Sequence, residues 1–423
     1  MIQSLWKNKE LRKKILLTVV ILFIIAGLSG VPTPGINKDY FKELLSANTG
    51  LALFNMLAGN GLGNASITML SITPYITASI ILQLMTVVFP SLYEMQRDGQ
   101  TGRDKFKKYT MLLGVAIALI QAFGFAIGFG RQGLLISYKW YWVLCATAIW
   151  TIMAFLLMVA GEFIEKKGFG NGVSLILLFN ILSSYPSDAQ SVYEKFFAGQ
   201  TIGNLLIHGV VVVAVIASLF AFVIFIQETE KRILVRYSAK TSGKIQAGSS
   251  VFPIKLCPGS VVPIIFASSL MSMPAMIAQL FGKEFWLSNM LNSSNWFNAE
   301  HPWYSIGVVI YILLIFLFSY FYTDMILNPL EIANNFKKTG GTIPGIRPGQ
   351  PTVDYIKNQM KITIFIGAAA LSLVALVPCV LSGLFGLSRL AFAGSSIIIT
   401  AGVILETYNQ LLTEVQAKRM KLF

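Results

Sequence analysis

Chemistry-bearing side chains are scarce in this chain. Its 423 residues include two histidines, His208 and His301, too few for an imidazole metal cluster. The three cysteines, Cys145, Cys257 and Cys379, are an odd set with no Cys-x-x-Cys spacing, which argues against a disulfide framework and a zinc site. No G-x-x-x-x-G-K-[ST] phosphate loop occurs, so the chain is not expected to hydrolyse nucleotide. Gly170-Asn171-Gly172-Val173-Ser174 lacks the spacing of a nucleophile elbow, and no histidine is placed to activate Ser174. Catalysis, a cofactor and a metal are therefore not expected.

Charge is scarce as well. Only 12% of residues are Asp, Glu, Lys or Arg, while 55% are hydrophobic, and the mean hydropathy is +0.67. That composition belongs to a polytopic membrane protein. The ionisable candidates in or beside the apolar runs are His208, Glu162, Asp324, Arg389 and Glu406, and all but His208 sit at the ends of those runs. An ion-coupled transporter needs ionisable groups along its path. A small-solute transporter with inverted repeats, the alternative reading, lacks them here.

What is present is a series of ten apolar runs. The first, 15–28, follows Lys7, Lys9, Arg12, Lys13 and Lys14, and is read as a retained span ending before Val31-Pro32-Thr33-Pro34-Gly35. The others are expected near 67–89, 109–130, 140–160, 173–186, 202–226, 259–281, 304–327, 362–384 and 390–405. Ten spans put both termini on one side. About four-fifths of the 33 Lys and Arg fall on that side, which gives an N-in, C-in orientation. The expected fold is an all-α polytopic membrane protein: ten transmembrane helices in two five-helix halves, 1–186 and 187–423, with inverted topology.

Two loops on the basic side are longer than the rest. In 227–258, Ile233-Leu234-Val235-Arg236-Tyr237 and the turn Thr241-Ser242-Gly243-Lys244 suggest a β-hairpin. In 328–361, Asn328 can cap a helix that has Pro329 at its first position and Glu331 three residues after the cap. Lys337 and Lys338 suit its last turn, and Gly340 its end. Beyond it, Pro344-Gly345-Ile346-Arg347-Pro348-Gly349 frames Arg347 at a rigid tip, a docking point for carboxylate or phosphate.

One apolar piece does not span. Residues 54–65 are short and carry Gly59, Gly61 and Gly63, poor residues for a helix interior. Two arrangements satisfy this: a segment held inside the protein at a cavity, or a glycine-rich loop on the outer surface.

Four stretches carry a resemblance. They are Ser71-Ile72-Thr73-Pro74-Tyr75-Ile76-Thr77-Ala78-Ser79-Ile80, Gly168-Phe169-Gly170-Asn171-Gly172-Val173-Ser174, Pro263-Ile264-Ile265-Phe266-Ala267-Ser268-Ser269, and 328–351 with Lys337-Lys338-Thr339-Gly340-Gly341 and the Arg347 turn. In these, and in their order along nearly the whole chain, the sequence resembles the SecY family, channel subunits of the Sec protein translocon. The resemblance implies a channel through which unfolded secretory polypeptides cross the bacterial cytoplasmic membrane and membrane segments pass sideways into lipid. It implies a plug helix made of Asn55, Met56, Leu57, Ala58, Gly59, Asn60, Gly61, Leu62, Gly63 and Asn64. It implies a pore ring of Ile72, Ile76, Val173, Leu177, Ile265 and Ile399, and a lateral gate between spans two to three and seven to eight with Thr77, Gln121 and Met273 at its polar positions. Arg347, Lys337, Lys338, Arg236 and Lys244 are the implied docking residues for SecA or the ribosome, and SecE and SecG the implied membrane partners. Three departures from the family pattern stand out: Met273 is apolar, the plug ends Gly63-Asn64 without a basic residue, and Gly243-Lys244 stands where arginines are common.

Overall fold

The computed structural model describes residues 9–37, 52–196, 202–241, 244–280, 286–296, 302–385 and 393–420. Lys7, Ser242, Gly243, His301, Arg389 and Lys421 lie outside the described residues, as do the side chains of His208 and Lys244.

The fold is mostly helical. Helix α1 is Lys9–Ser29, α2 Ala52–Leu57, α3 Thr73–Val88, α4 Pro90–Arg97, α5 Gly99–Gly128, α6 Trp140–Lys167, α7 Gly172–Phe196 and α8 Ile202–Glu228. The hairpin strands β1 Glu230–Thr241 and β2 Lys244–Lys255 follow, then α9 Val262–Leu280 and α10 Trp286–Leu291. The chain ends with α11 Ile306–Ile326, α12 Pro329–Thr339, β3 Gly341–Thr342, α13 Gln350–Phe385 and α14 Ala393–Met420.

Among the described residues, four helical stretches are long and apolar enough to cross a membrane: Gly99–Gly128, Trp140–Lys167, Pro302–Thr339 and Gln350–Val380. The pair α3 and α4, bent by 112°, makes a fifth if taken as one span. Shorter apolar helical stretches are Gly172–Pro186, Val213–Glu228 and Val262–Pro274. The chain is a multi-pass membrane protein.

Several boundaries differ from expectation. The run 67–89 is not one helix, because α3 begins only at Thr73. Ser71, at φ 49°, turns the chain just before it. Helix α7 continues through Pro186 to Phe196 instead of stopping there. Helices α5, α6 and α13 extend beyond their apolar runs into the basic side, so their ends stand out as polar helix. Nor is the fold purely helical, since a three-stranded sheet in the order β2-β1-β3 accompanies the helices.

That sheet joins the two long loops. Strands β1 and β2 pair antiparallel from Glu230↔Lys255 to Thr241↔Lys244, and β3 adds Arg236↔Thr342 and Tyr237↔Gly341. Helix α12 forms as its capping residues dictate: the Asn328 side chain accepts from the Leu330 N–H at 3.0 Å, and Gly340 ends the helix at φ 70°. Ile233, Val235 and Ile254 of the sheet pack with Ala333 and Phe336 of α12 and with Ile356, Met360 and Ile364 of α13. The Phe252 and Phe336 rings meet edge to face at 5.5 Å.

Two further apolar cores fill the helical body. One lies among α5, α6 and the segment before α3. The other, the largest, draws on α3, α7, α8, α9, α11, α13 and α14. That second core holds the site.

Candidate functional site

Ile72 caps the N-terminus of α3 and Ile76 lies one turn on, its N–H bonded to the Ile72 carbonyl at 3.2 Å. Val173 and Leu177 are likewise one turn apart on α7, Ile265 is in the first turn of α9, and Ile399 is in α14. Five of the six belong to the largest core and Val173 packs against it, and Ile76, Val173, Leu177 and Ile265 line one cavity. None of the five is more than 8% exposed.

A cavity of about 630 Å³ opens against this cluster. Ile76, Val173, Leu177 and Ile265 form its apolar end. Its other lining mixes apolar residues such as Phe106, Phe266 and Met325 with polar ones, Gln83, Arg97, Arg103, Lys107, Glu165 and Glu331 among them. Two ion pairs stand at this mouth, Lys107 with Glu165 between α5 and α6 and Arg97 with Glu331 between α4 and α12. Nearby on α6, Lys166 pairs with Glu162 at 2.5 Å.

Residues 54–65 occupy the opposite side of the cluster. Along α7, the cavity is lined by Asn171, Val173, Ser174 and Leu177, and the segment bonds one to two turns farther on, at Asn180 and Ser183. Met56 and Leu57 join the largest core, while Phe54 and Leu62 join the core of α5 and α6, with the Phe54 ring 5.6 Å from Phe125. The segment is thus held inside the protein and is not a surface loop; of its twelve residues only Asn64 is exposed. Its helix is shorter than the resemblance implies. Helix α2 stops at Leu57, and 58–65 run as turns, with Gly59 at φ 63° and Asn60 at φ 61° breaking the helix. The turns are internally bonded: Asn55 Nδ2 donates to Asn60 Oδ1 at 2.9 Å, and Asn55 Oδ1 accepts from the Gly63 N–H at 2.8 Å.

Of the three residues assigned to a gate, Thr77 and Gln121 are buried and Met273 is half-buried. Thr77 Oγ1 donates back to the Thr73 carbonyl at 3.2 Å. Thr73 Oγ1 on α3, Gln121 Oε1 on α5 and Ser269 Oγ on α9 are buried atoms with no hydrogen-bond partner among the described residues. Ser269 lies four residues, about one helical turn, before Met273 on α9. Helix α5 packs against both α3 and α9.

The basic residues assigned to docking lie apart from the cavity. Arg236, Lys337, Lys338 and Arg347 are exposed on the sheet and α12 region. Arg347 is flanked by Gly345 at φ 81° and Gly349 at φ 111°, and its carbonyl accepts from Thr352 Oγ1 at 2.9 Å. Lys244 begins β2.

Sequence reasoning missed Asn180. It is buried on α7, and its Nδ2 donates to the Leu57 carbonyl and to Ser71 Oγ, both at 2.8 Å. The available signal was an asparagine inside the apolar run Leu175-Ile176-Leu177-Leu178-Phe179-Asn180-Ile181-Leu182, seven residues after Val173 and so on its helical face.

The SecY family model matches residues 66–408. The protein translocase subunit SecY of Streptomyces galbus is 36% identical over 442 residues, covering 99% of this chain and 98% of that one. Two solved structures share the fold with a TM-score of 0.64, each covering 96% of this chain and 93% of the other. One, 15% identical, is of a SecY protein whose plug domain stabilises the closed state of the translocation channel and maintains a membrane seal. The other, 17% identical, is Sec61 in the canine ribosome-channel complex from the endoplasmic reticulum.

Proposed function

Because the chain belongs to the SecY family, we propose that it is the protein-conducting channel of a bacterial Sec translocon, moving unfolded secretory polypeptides across the cytoplasmic membrane and releasing membrane segments sideways into lipid. The observation that carries this reading is an order along α7: a cavity lined by charged residues and by Ile76, Val173, Leu177 and Ile265, then a glycine-rich segment bonded to α7 at Asn180 and Ser183. In this reading the cavity is the cytoplasmic entrance, the six aliphatic residues are the pore ring, and 54–65 is the plug. An aliphatic constriction is poorly wetted and holds back ions without a charged gate, yet offers no specific contact that would retain a sliding chain.

The chain then has ten spans in two inverted halves with both termini in the cytoplasm, and the lateral gate opens where α3 and α5 meet α9 and α11. Thr77, Gln121 and Ser269 are its polar positions. A desolvated polar atom without a partner disfavours the closed packing, so Thr73, Gln121 and Ser269 keep the gate only marginally shut. The sheet, α12 and the Arg347 tip form the cytoplasmic platform for SecA or a ribosome, with SecE and SecG as membrane partners. The energy for transport comes from SecA or the translating ribosome.

The test is to stall a secretory chain carrying photoreactive residues in the complex. Cross-links from consecutive positions of the stalled chain to Ile76, Leu177 and Ile265 are expected. Cross-links confined to lipid-facing residues such as Leu112 or Leu119 would overturn this reading.

A further inference from the structure

Val173, Leu177, Asn180 and Ser184 fall at i, i+4, i+7 and i+11 of α7, one stripe of a helix. Two aliphatic members meet at the ring cluster, and the next is a buried asparagine. A primary amide has two N–H donors, and the Asn180 amide nitrogen makes two contacts. One, 2.8 Å long, goes to the carbonyl of Leu57, the last residue of α2. The other, also 2.8 Å, goes to the hydroxyl of Ser71, immediately before ring residue Ile72. Ser71 holds a left-handed φ of 49°, so this bond is made to a backbone with little freedom to follow the plug. The contact is close enough to require glycine at position 59. There φ is 63°, and a Cβ would stand 2.9 Å from Asn180 Oδ1 and 3.2 Å from Asn180 Cα. A turn farther along, Asn60 Nδ2 donates to the Ser183 carbonyl at 3.3 Å.

We propose that Asn180 is the positioning residue that latches the closed channel, tying the plug to α7 and to the start of the ring helix through one amide. The proposal rests on reading 54–65 as the plug. A chain entering through the ring pushes the plug away from α7, and one amide then cannot reach both Leu57 and Ser71. Plug release and ring opening are thereby coupled, and the strength of the latch sets how readily a weak signal sequence opens the channel. Loss of one buried hydrogen bond of this kind shifts the closed-to-open equilibrium by about fivefold.

The experiment uses the full-length chain assembled in its membrane complex in vesicles, with Ala58→Cys as reporter, because Ala58 is buried at the latch. Its labelling by an impermeant thiol reagent is counted against the parent without that substitution. Asn180→Leu should speed resting labelling about fivefold, raise the resting ion leak and admit a substrate with a shortened signal sequence. Asn180→Asp keeps the shape but donates only when protonated, so its leak should rise with pH and fall back towards the parent's on acidification. A packing role alone would not produce that pH profile. Wild-type leak in both variants, with the Ala58→Cys thiol still exposed by a stalled chain, would overturn the latch and leave the plug standing. A thiol that stays protected when a chain is stalled would overturn the plug reading and the latch with it. Should the leucine variant fail to assemble, Ser71→Ala removes one acceptor only; a severalfold rise in its leak supports the latch, and no rise in it or in Asn180→Asp overturns the latch.

Discussion

Arg97 and Glu331 form an ion pair that joins α4, the bent continuation of α3, to α12, the continuation of α11. Arg97 is held from behind by Tyr93, whose hydroxyl accepts from Nη1 at 2.8 Å and whose ring centroid lies 5.0 Å from the guanidinium carbon. The pair bridges the two sides of the proposed gate at the cavity mouth. It is largely solvent-exposed, so its coupling is expected to be about 0.5 kcal/mol, roughly a twofold effect. Glu331→Arg should raise export of a signal-defective substrate about twofold, and adding Arg97→Glu should return it to the parent level. A double mutant that behaves as the product of the two singles would mean the pair is incidental.

The platform makes a stability prediction. Phe336 of α12 is buried against the sheet and touches the Phe252 ring. Phe336→Ala should cost about 3–5 kcal/mol of that local packing. Proteolysis within 227–258 should then accelerate while the membrane-embedded helices remain resistant. The exposed Arg236→Ala should change it little, since surface substitutions typically stay within about 0.5 kcal/mol.

Arg347 tests docking separately from folding. Its side chain is exposed and its backbone is fixed by two positive-φ glycines and the Thr352 hydroxyl. Arg347→Glu should assemble normally yet lose SecA-driven export, because reversing a charge at a contact commonly costs about 2–5 kcal/mol or more. Normal export from that variant would remove Arg347 from the interface.

The sequence was legible where a residue type has one structural use. Asn328, Pro329 and Gly340 marked the ends of α12, and the strand-like run 233–237 marked β1. Boundaries in apolar runs were not legible, because hydropathy does not distinguish helix from buried turns. The stretch 67–72 is as apolar as α3, yet Ser71 turns it. Pro186 suggested a stop, but it lies where α7 continues to Phe196. The ring residues came from a family pattern, since their neighbours are equally apolar and spacing alone cannot choose among them. The Asn180 latch depends on a carbonyl 123 residues away, and no local pattern encodes such a partner.

The seal gives the last prediction. Ile72, Ile76 and Ile265 enter the ring cluster from two helices, α3 and α9, and all three are buried. Replacing each with serine removes the aliphatic volume and supplies hydroxyls that water can bond, so the constriction should wet. The same change leaves the charged cavity mouth and the platform untouched. Vesicles containing the triple serine variant should therefore leak ions at rest, and deleting 54–65 should enlarge the leak because the second barrier is gone. Export should fall less than the seal does, since a passing chain needs room more than contacts. Serine can bond its own helix carbonyls at i−4, as Ser268 does to Ile264 at 2.7 Å, so part of the wetting will be lost to back-bonding. The leak should accordingly grow further when serine is exchanged for asparagine at Ile76, where the longer amide projects past its own helix. Resting conductance equal to the parent's in the serine and asparagine variants, with and without 54–65, would place the ring elsewhere.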